Sequence, residues 1–312
     1  MPDSTLVIGG SGFLGRNLIS LLTARGEPPL AIYRADGDLR DRSACERIFK
    51  ALPKVATIFH LATFQRTGEI QYRMQSELLD NNAQLHLNVL ACWAKYQPQA
   101  KLVSAGSSCS YPDLDSPIGE DRFQTGPLHD SVRSYGLMKQ LLAIGSGAYA
   151  SQYGLNYLHG ILATVYGPHD HLEPERSHFI GGMMARALKE RAAGAPRFTV
   201  WGSPDTAREC LYVSDQLEAL LAASAGFSNC ILNCAANAQI TIGEMASAVL
   251  QVLKWEVPIE FSTGAFRGAS RKVLDSSRFL TGTAWRPRVS LHAGLAELRD
   301  DISARLKYGE CP

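Results

Sequence analysis

The sequence lacks any excess of charge of one sign. Lysine plus arginine total 31 and aspartate plus glutamate total 30, which gives a formal net charge of +1. Non-specific affinity for nucleic acid comes mainly from counterions displaced by surplus basic residues, so this balance argues against a nucleic-acid-binding protein. Any anionic ligand must therefore be held by a few local basic side chains.

The sequence also lacks a long hydrophobic run. No stretch approaches the ~20 apolar residues that a membrane-spanning helix needs. The residues before the first apolar run, MPDST, contain no basic segment of the kind that opens a signal peptide. We therefore predict a cytoplasmic protein with no membrane partner.

Cysteine spacing excludes two further classes. The seven cysteines are odd in number and scattered, and none has the spacing of a metal-binding pair. This pattern favours reduced thiols and predicts no metal site. What the chain does have is 312 residues with 46% hydrophobic content, enough for a large core that we expect to divide into two lobes.

Short apolar runs alternate with helical patterns through the first half of the sequence. The runs TLVI, PLAIYR, ATIFHLAT and KLVSAGSS are typical of strands, and the segments between them have apolar residues at helical spacing. Because parallel strands need crossover connections, this order predicts an α/β fold with a doubly wound parallel sheet. We predict a dinucleotide-binding domain at 1–166, rejoined by about 205–235, and a smaller mixed α/β substrate lobe at 167–204 and 236–312.

A glycine-rich turn separates the first strand from the first helix. Gly9, Gly12 and Gly15 form the pattern G-x-x-G-x-x-G, which lets a dinucleotide pyrophosphate approach free backbone N–H groups at the positive end of a helix. The strand before it and the amphipathic helix after it favour a Rossmann-type cofactor site over an ordinary tight turn. The residues predicted to bind cofactor from this turn and later strand ends are Gly9, Gly12, Phe13, Leu14, Gly15, Leu61, Ala62 and Val165.

The end of the second strand, IYRAD, bears on which cofactor binds. An acidic residue there accepts hydrogen bonds from a ribose 2′-hydroxyl, whereas an arginine pairs with a 2′-phosphate. Arg34 comes first and favours NADP, while Asp36 as the ribose partner leaves NAD possible. We also expect Asp38 and Leu39 to lie against the cofactor.

Tyr135 and Lys139 are four residues apart in SYGLMK and therefore share one face of a helix. An ammonium group in that position can stabilise a phenolate. The spacing is common by itself, but it becomes informative beside the glycine turn and the serines Ser107 and Ser108 that end the fourth strand. On these residues the sequence resembles the extended short-chain dehydrogenase/reductase family, or NAD-dependent epimerase/dehydratase family. The resemblance implies a catalytic set of serine, Tyr135 and Lys139, with Ser107 or Ser108 as the serine.

Further segments resemble one group in that family, the GDP-L-fucose synthases. GSSCSYP is similar to their G-S-S-C-I-Y-P, VYGPHDH to L-Y-G-P-H-D-N, and VWGSPDTARECLYVSD to V-W-G-S-G-x-x-x-R-E-F-L-H-V-D-D. ERSHFIGGMMARAL and SRKVLDSSRF match two more of their segments. The resemblance implies an enzyme that epimerises a GDP-4-keto-6-deoxyhexose at C3 and C5 and then reduces C4 with NADPH.

The resemblance also implies roles for the matched residues. Cys109 would be the base and His178 the acid of epimerisation, with His178 also close to the nicotinamide, and both groups titrate within a few units of neutrality. Ser107 and Tyr135 would hold the ketone oxygen. The alternative for Cys109 is a small buried hydrophobe. The residues implied in substrate binding, for the base and diphosphate, are Ser108, Arg186, Trp201, Arg208, Arg271 and Lys272.

Two segments depart from the fucose synthase pattern. TFQRTGEIQYRMQ stands where that group has a glycine-rich loop, and LATVYGP replaces a segment with an asparagine before Y-G-P. The departures leave other functions open: reduction alone or redox-neutral epimerisation of another nucleotide sugar such as a GDP-keto-heptose, or a non-catalytic NAD(P)-binding protein. By analogy with relatives we predict a homodimer paired through the helix of Tyr135 and Lys139.

Overall fold

The computed structural model describes residues 4–68, 70–114, 117–262 and 271–307. The strands in these ranges are β1 (Thr5–Ile8), β2 (Leu30–Ile32), β3 (Thr57–His60), β4 (Lys101–Ser107), β5 (Tyr157–Leu162), β6 (Thr164–Tyr166), β7 (Phe198–Trp201), β8 (Ala207–Tyr212), β9 (Cys230–Cys234), β10 (Gln239–Thr241), β11 (Ile259–Ser262) and β12 (Arg271–Lys272). The α-helices are α1 (Phe13–Ala24), α2 (Arg42–Ala51), α3 (Ile70–Arg73), α4 (Gln75–Tyr96), α5 (Arg133–Tyr153), α6 (Phe179–Ala192), α7 (Val213–Gly226), α8 (Ile242–Leu253), α9 (Ser277–Gly282) and α10 (Leu291–Lys307).

Six strands form one parallel sheet in the order β2-β1-β3-β4-β5-β9. The chain moves from β1 to β2 on one side and then crosses back to β3 on the other side of β1. The connections leave β1 and β3 in opposite directions, and this opens a crevice at the carboxyl ends of those two strands. The sheet topology therefore places a ligand site beside the glycine turn.

Alternate residues of the central strands face opposite helical layers. Leu6 and Ile8 of β1 pack in a cluster with residues of α2, α4 and α5, whereas Val7 packs in a second cluster with residues of α1 and α7. This period of two is what a strand buried on both faces requires. The predicted doubly wound Rossmann-type fold is confirmed.

The rest of the described chain forms a smaller mixed α/β region. β8 pairs with β6 and β12 in parallel and with β10 in antiparallel orientation, and β7 and β11 form a separate parallel pair. The helices α6, α8 and α10 pack on one another. β9 returns to the first sheet beside β5, but the proposed domain boundaries stay a prediction. Within the described ranges, no helix combines the length and apolar character needed to cross a bilayer.

Candidate active site

A cleft of about 1950 Å³ lies at the carboxyl ends of β1, β3 and β4. Residues of α6, β7, β8 and β12 line it as well, so the cleft is shared by the large sheet and the smaller region. The residues predicted above to bind cofactor, catalyse or bind substrate line it, apart from Asp36, the alternative ribose partner, and Arg271. The side chain of Arg271 lies outside the described part of the chain. The structure thus gathers the predicted residues in one place, and their individual roles stay predictions.

The glycine turn fits a dinucleotide. The N–H of Gly12 donates to the carbonyl oxygen of Gly9 at 3.0 Å, which closes the turn. A Cβ on Gly15 would lie 2.1 Å from that same oxygen, so only glycine allows α1 to start this close to β1. Gly12 is the residue before α1 and has no side chain that could accept hydrogen bonds from the first N–H groups of the helix. These N–H groups are therefore left for a ligand in the cleft.

The turn after β2 is held by carboxylates. Asp36 accepts a hydrogen bond from the Tyr33 N–H at 2.7 Å, so its carboxylate closes the turn. Arg40 donates through Nε to both oxygens of Asp38, at 2.9 and 3.0 Å, and Arg34 lies 3.7 Å from the same carboxylate. The hydrogen bond from Arg40 is the main reason that the pKa of Asp38 falls to about 2. The guanidinium groups of Arg34 and Arg40 therefore both lie at this part of the cleft, whereas the sequence analysis predicted only that of Arg34.

A short 3₁₀ turn, Ser108–Ser110, carries Cys109 at the end of β4. The Ser107 hydroxyl oxygen caps the turn by accepting the Cys109 N–H at 3.2 Å. Helix α5 packs directly on this turn through Gly136, where a Cβ would lie 2.2 Å from the Cys109 carbonyl oxygen. Glycine next to Tyr135 thus sets the distance between the helix of Tyr135 and the turn of Cys109.

Basic groups lower the pKa of the Cys109 thiol. The Lys272 ammonium donates to the Cys109 sulfur at 3.2 Å. Burial on its own would raise the pKa of this thiol, but Lys272, a hydrogen bond with Ser107 and the charge of Arg208 together lower it. The half-buried sulfur faces the cleft. A thiol on a cleft wall beside basic groups is the setting in which reactive cysteines are found, and the role of Cys109 stays a prediction.

Tyr135 and Lys139 lie side by side on α5, as their spacing predicts. The Lys139 Nζ is 5.5 Å from the centre of the Tyr135 ring and donates to the Ala105 carbonyl oxygen at 2.9 Å. Burial lowers the pKa of Lys139 to about 8. Burial also raises the pKa of Tyr135, a shift that negative charge on Cys109 increases and a hydrogen bond with Thr63 opposes. Tyr135 is therefore held as the neutral phenol, which can donate a proton.

His178 stands at the start of α6 between two hydrogen-bond partners. Its Nδ1 lies 2.7 Å from a carboxylate oxygen of the buried Asp170, and its Nε2 lies 3.1 Å from the Gln65 side-chain nitrogen. Burial would lower the pKa of His178, but the Asp170 carboxylate outweighs burial and raises it. Its ring centre is 5.4 Å from that of Phe13, the first residue of α1. The imidazole thus faces the region beside the glycine turn.

Trp201 and Arg186 form a pair on the far side of the cleft. The Trp201 ring is 67% exposed, which is unusual for a tryptophan, and the Arg186 guanidinium lies 4.3 Å from its centre. Arg208 lies on β8 and donates to the Ala207 carbonyl oxygen at 2.8 Å. An exposed aromatic face beside cations is suited to stack on a nucleobase and hold its phosphates.

Comparison with known proteins agrees with this geometry. A sequence model of the NAD dependent epimerase/dehydratase family matches residues 5–235. The chain belongs to this family. Membership, together with the relatives described next, confirms the predicted NAD(P)-dependent nucleotide-sugar epimerase/reductase enzyme and its nicotinamide cofactor.

Several relatives and solved structures are similar over most of their length. A putative GDP-L-fucose synthase 2 of Arabidopsis thaliana is 30% identical, with 93% of this chain and 89% of the relative covered. The GDP-L-fucose synthase of Escherichia coli K12 is 28% identical, with 93% of each chain covered. A GDP-L-fucose synthetase structure from Naegleria fowleri superposes with a TM-score of 0.87 at 23% identity, covering 98% of this chain and 95% of that one. At this identity the structural match supports the fold alone.

Sequence reasoning did not single out three residues that line the cleft or contact a residue of it: Arg40, Gln65 and Asp170. Asp170 stands inside the quoted segment VYGPHDH, eight positions before His178, and only the fold shows that its carboxylate contacts the imidazole. Gln65 belongs to the segment that departs from the fucose synthase pattern, and only its contact with His178 reveals it. Arg40 gave no local signal beyond its distance of two residues from Asp38.

Proposed function

We propose that the protein is an NADPH-dependent 3,5-epimerase/4-reductase of a GDP-4-keto-6-deoxyhexose. The observation that carries the proposal is the placement of Cys109, His178, Tyr135 and Lys139 around one cleft. The curated relatives named GDP-L-fucose synthase, at 28–30% identity over most of the chain, support a GDP-linked nucleotide sugar as the substrate.

The cofactor side of the cleft supports NADP over NAD. The first-turn N–H groups of α1 would bind the pyrophosphate, and Arg34 and Arg40 would bind a 2′-phosphate. Asp36 is engaged by the Tyr33 N–H, which leaves it a poor partner for a ribose hydroxyl. When bound, NADPH supplies the hydride for reduction at C4.

Epimerisation needs a base and an acid on the two faces of the sugar. The Cys109 thiolate would remove the proton from the carbon beside the ketone, since its pKa is lowered by Lys272 and Arg208. His178, protonated with the support of Asp170, would return a proton on the other face. Ser107 and Tyr135 would donate hydrogen bonds to the ketone oxygen as negative charge develops there.

Reduction of C4 needs a proton for O4. Tyr135 would donate it, because burial holds the phenol neutral and Lys139 lies beside the ring to stabilise the phenolate that remains. Substrate binding would rest on the exposed Trp201 ring for the nucleobase and on cations for the diphosphate. The cations that line the cleft are Arg186, Arg208 and Lys272, and Ser108 would lie near the sugar. Arg271, whose side chain is outside the described part of the chain, would be a further cation for the diphosphate.

The test is turnover of GDP-4-keto-6-deoxymannose in heavy water. We expect consumption of NADPH and deuterium at both C3 and C5 of the product. The Cys109→Ser variant should lose the deuterium while it keeps NADPH binding, and Tyr135→Phe should lose reduction. A panel of GDP-, dTDP- and UDP-linked keto sugars measures the choice of nucleotide, and no turnover of any GDP-linked sugar would contradict the proposal.

A second candidate is a C4 reductase without epimerisation. One contact favours it: the Gln65 side-chain nitrogen lies 3.1 Å from Nε2 of His178, the ring nitrogen that would face a sugar. Gln65 belongs to the loop that departs from the fucose synthase pattern. A 2.8 Å hydrogen bond from the Thr67 N–H to the Glu175 carbonyl oxygen connects this loop to the segment before α6. Reduction without deuterium in the same assay would select this candidate.

We also propose a homodimer paired through α4 and α5. Leu137 and Ile144 on α5 and Leu87 on α4 are 45–47% exposed, which leaves apolar side chains on helices that the fold does not cover. A second copy would bury them. Sizing chromatography with light scattering tests this, and a monomer at micromolar concentration would contradict it. The cytoplasmic location and the absence of nucleic-acid partners stay predictions.

A further inference from the structure

One contact in the cleft joins two residues for which the sequence suggested separate tasks. Lys272 was expected to hold the substrate diphosphate, yet its ammonium donates to the Cys109 sulfur at 3.2 Å. A distance of this size is within hydrogen-bonding range for sulfur and brings a positive charge against the thiol. The pair links β12 to the turn after β4 across 163 positions of sequence.

The strand pairing explains how Lys272 reaches the sulfur. Lys272 pairs with Arg208 in the parallel register of β12 and β8, so the two cations occupy neighbouring positions in the same sheet. Residues directly opposite in a sheet project to the same face. Arg208 also lowers the pKa of Cys109 through its charge, which places two cations of one sheet against one thiol.

The other groups that face Cys109 come from its own turn and from α5. Ser107 caps the turn and is hydrogen-bonded with the thiol. Burial raises the pKa of Tyr135 and lowers that of Lys139, and negative charge on Cys109 adds to the first shift and offsets part of the second. Tyr135 is neutral and Lys139 is cationic. Asp113 and His129 line a second, small pocket together with Cys109 and Lys272, and the Asp113 carboxylate acts by charge on Arg208.

We propose that Lys272 is a positioning residue that keeps Cys109 as a thiolate in the resting protein. This role rests on the proposed epimerase function. In that reaction a Cys109 thiolate could act as the base at neutral pH without first losing a proton. The same thiolate is a nucleophile toward small soft electrophiles. With iodoacetamide the sulfur lone pair forms the S–C bond, iodide leaves with the bonding electrons, and no proton has to be transferred.

The pair also sets Cys109 apart from other cysteines. The pKa of Cys210 rises to about 12 through burial, and burial raises those of Cys230 and Cys234 as well. A hydrogen bond with Cys45 lowers the pKa of Cys92, but both of these cysteines are fully buried and closed to a reagent. Among the described cysteines, Cys109 is the one that lines the cleft. Of the cysteines in the described ranges, Cys109 should therefore be the first to be alkylated in the folded protein at neutral pH.

The test measures the rate of iodoacetamide alkylation of the Cys109 peptide by mass spectrometry from about pH 5 to pH 10, without substrate or cofactor. The wild type should show a midpoint well below the ~8.5 of an ordinary thiol. Lys272→Met should raise the midpoint by about one to three pH units, and so lower the thiolate fraction and the alkylation rate at pH 7. Lys272→Arg keeps the charge and should retain a lowered midpoint.

Two results would overturn the proposal: a wild-type midpoint at or above that of an ordinary thiol, or the same midpoint in wild type and Lys272→Met. Circular dichroism and NADPH binding serve as folding controls, and Lys272→Gln replaces the methionine variant if that one does not fold. The assay requires no turnover. A lowered midpoint together with failure of the deuterium test would leave the thiolate established and remove only the epimerase assignment.

Discussion

The two sides of the cleft are built from contacts of very different range. On the cofactor side, the bonds that close the glycine turn and pair the arginine with the carboxylate join near neighbours, Gly12 to Gly9 and Arg40 to Asp38, although Arg40 also contacts Asn81. On the substrate side, Lys272 meets Cys109 across 163 positions and Gln65 meets His178 across 113. A site made of local turns is specified within short segments, whereas a site made of distant side chains exists only once both sheets have formed.

This difference predicts that substitutions can disable one side and spare the other. Tyr135 and its helix lie where the two sides meet.

Tyr135→Phe should have the largest effect on turnover. It removes the proton donor for O4, a contribution of about 10²- to 10⁴-fold for general acid catalysis. Steady-state oxidation of NADPH measures the loss. NADPH binding by fluorescence titration should be unchanged, and a variant with more than a tenth of wild-type turnover would exclude Tyr135 as the donor.

Gly136→Ala should disable the substrate side. Alanine is the better helix former, but the new Cβ would lie 2.2 Å from the Cys109 carbonyl oxygen, so α5 and the turn must separate. A misplacement of about 1 Å can cost about 10²-fold in rate. We expect loss of deuterium exchange with NADPH binding retained; loss of NADPH binding instead would show that the two sides are not separable here.

Gly15→Ala is the matched change on the cofactor side. Its Cβ would meet the Gly9 carbonyl oxygen at 2.1 Å, and overpacking of this kind costs about 1–3 kcal/mol. We expect a lower melting temperature and at least about tenfold weaker NADPH binding. The pH profile of Cys109 alkylation should stay as in the wild type, because that profile depends on β8, β12 and the turn after β4.

Asp170→Asn should shift the pH dependence of the acid. The Asp170 carboxylate raises the pKa of His178, so its removal lowers that pKa and reduces the imidazolium fraction as pH rises toward neutrality. The alkaline limb of deuterium exchange should move to lower pH by about one unit. NMR titration of His178 gives the same shift without substrate. An unchanged titration would mean that the 2.7 Å contact does not support the charged form.

Arg34→Ala should have the smallest effect. The Arg34 side chain is 73% exposed and its ion pair with Asp38 is 3.7 Å long, and exposed pairs contribute up to about 1 kcal/mol. We expect KM for NADPH to rise a few-fold with no change for NADH. Arg42→Ala, which removes an exposed arginine paired with Glu46, is the control. Equal effects on NADPH and NADH would contradict a 2′-phosphate site at Arg34.

Much of the site could be predicted because its signals are short. The glycine turn and the Tyr135–Lys139 spacing each lie within a few residues, and their local geometry follows from strand and helix periods. The partners of these residues could not be predicted in the same way. Asp170 lies eight positions before His178, but nothing in that spacing shows that the chain folds back to place the carboxylate on Nδ1.

The sequence by itself determined the alternation of strands and helices, the glycine turn and the residue types of the chemistry, because these depend on periodicity and on the steric freedom of single positions. Only the tertiary structure decided which charge meets which group. The segment NYLHGILATVYGP shows why: β5 joins the large sheet and β6, after Ala163, joins the smaller one. Strand pairing is a long-range choice, and it is this choice that brings β12 and Lys272 to Cys109.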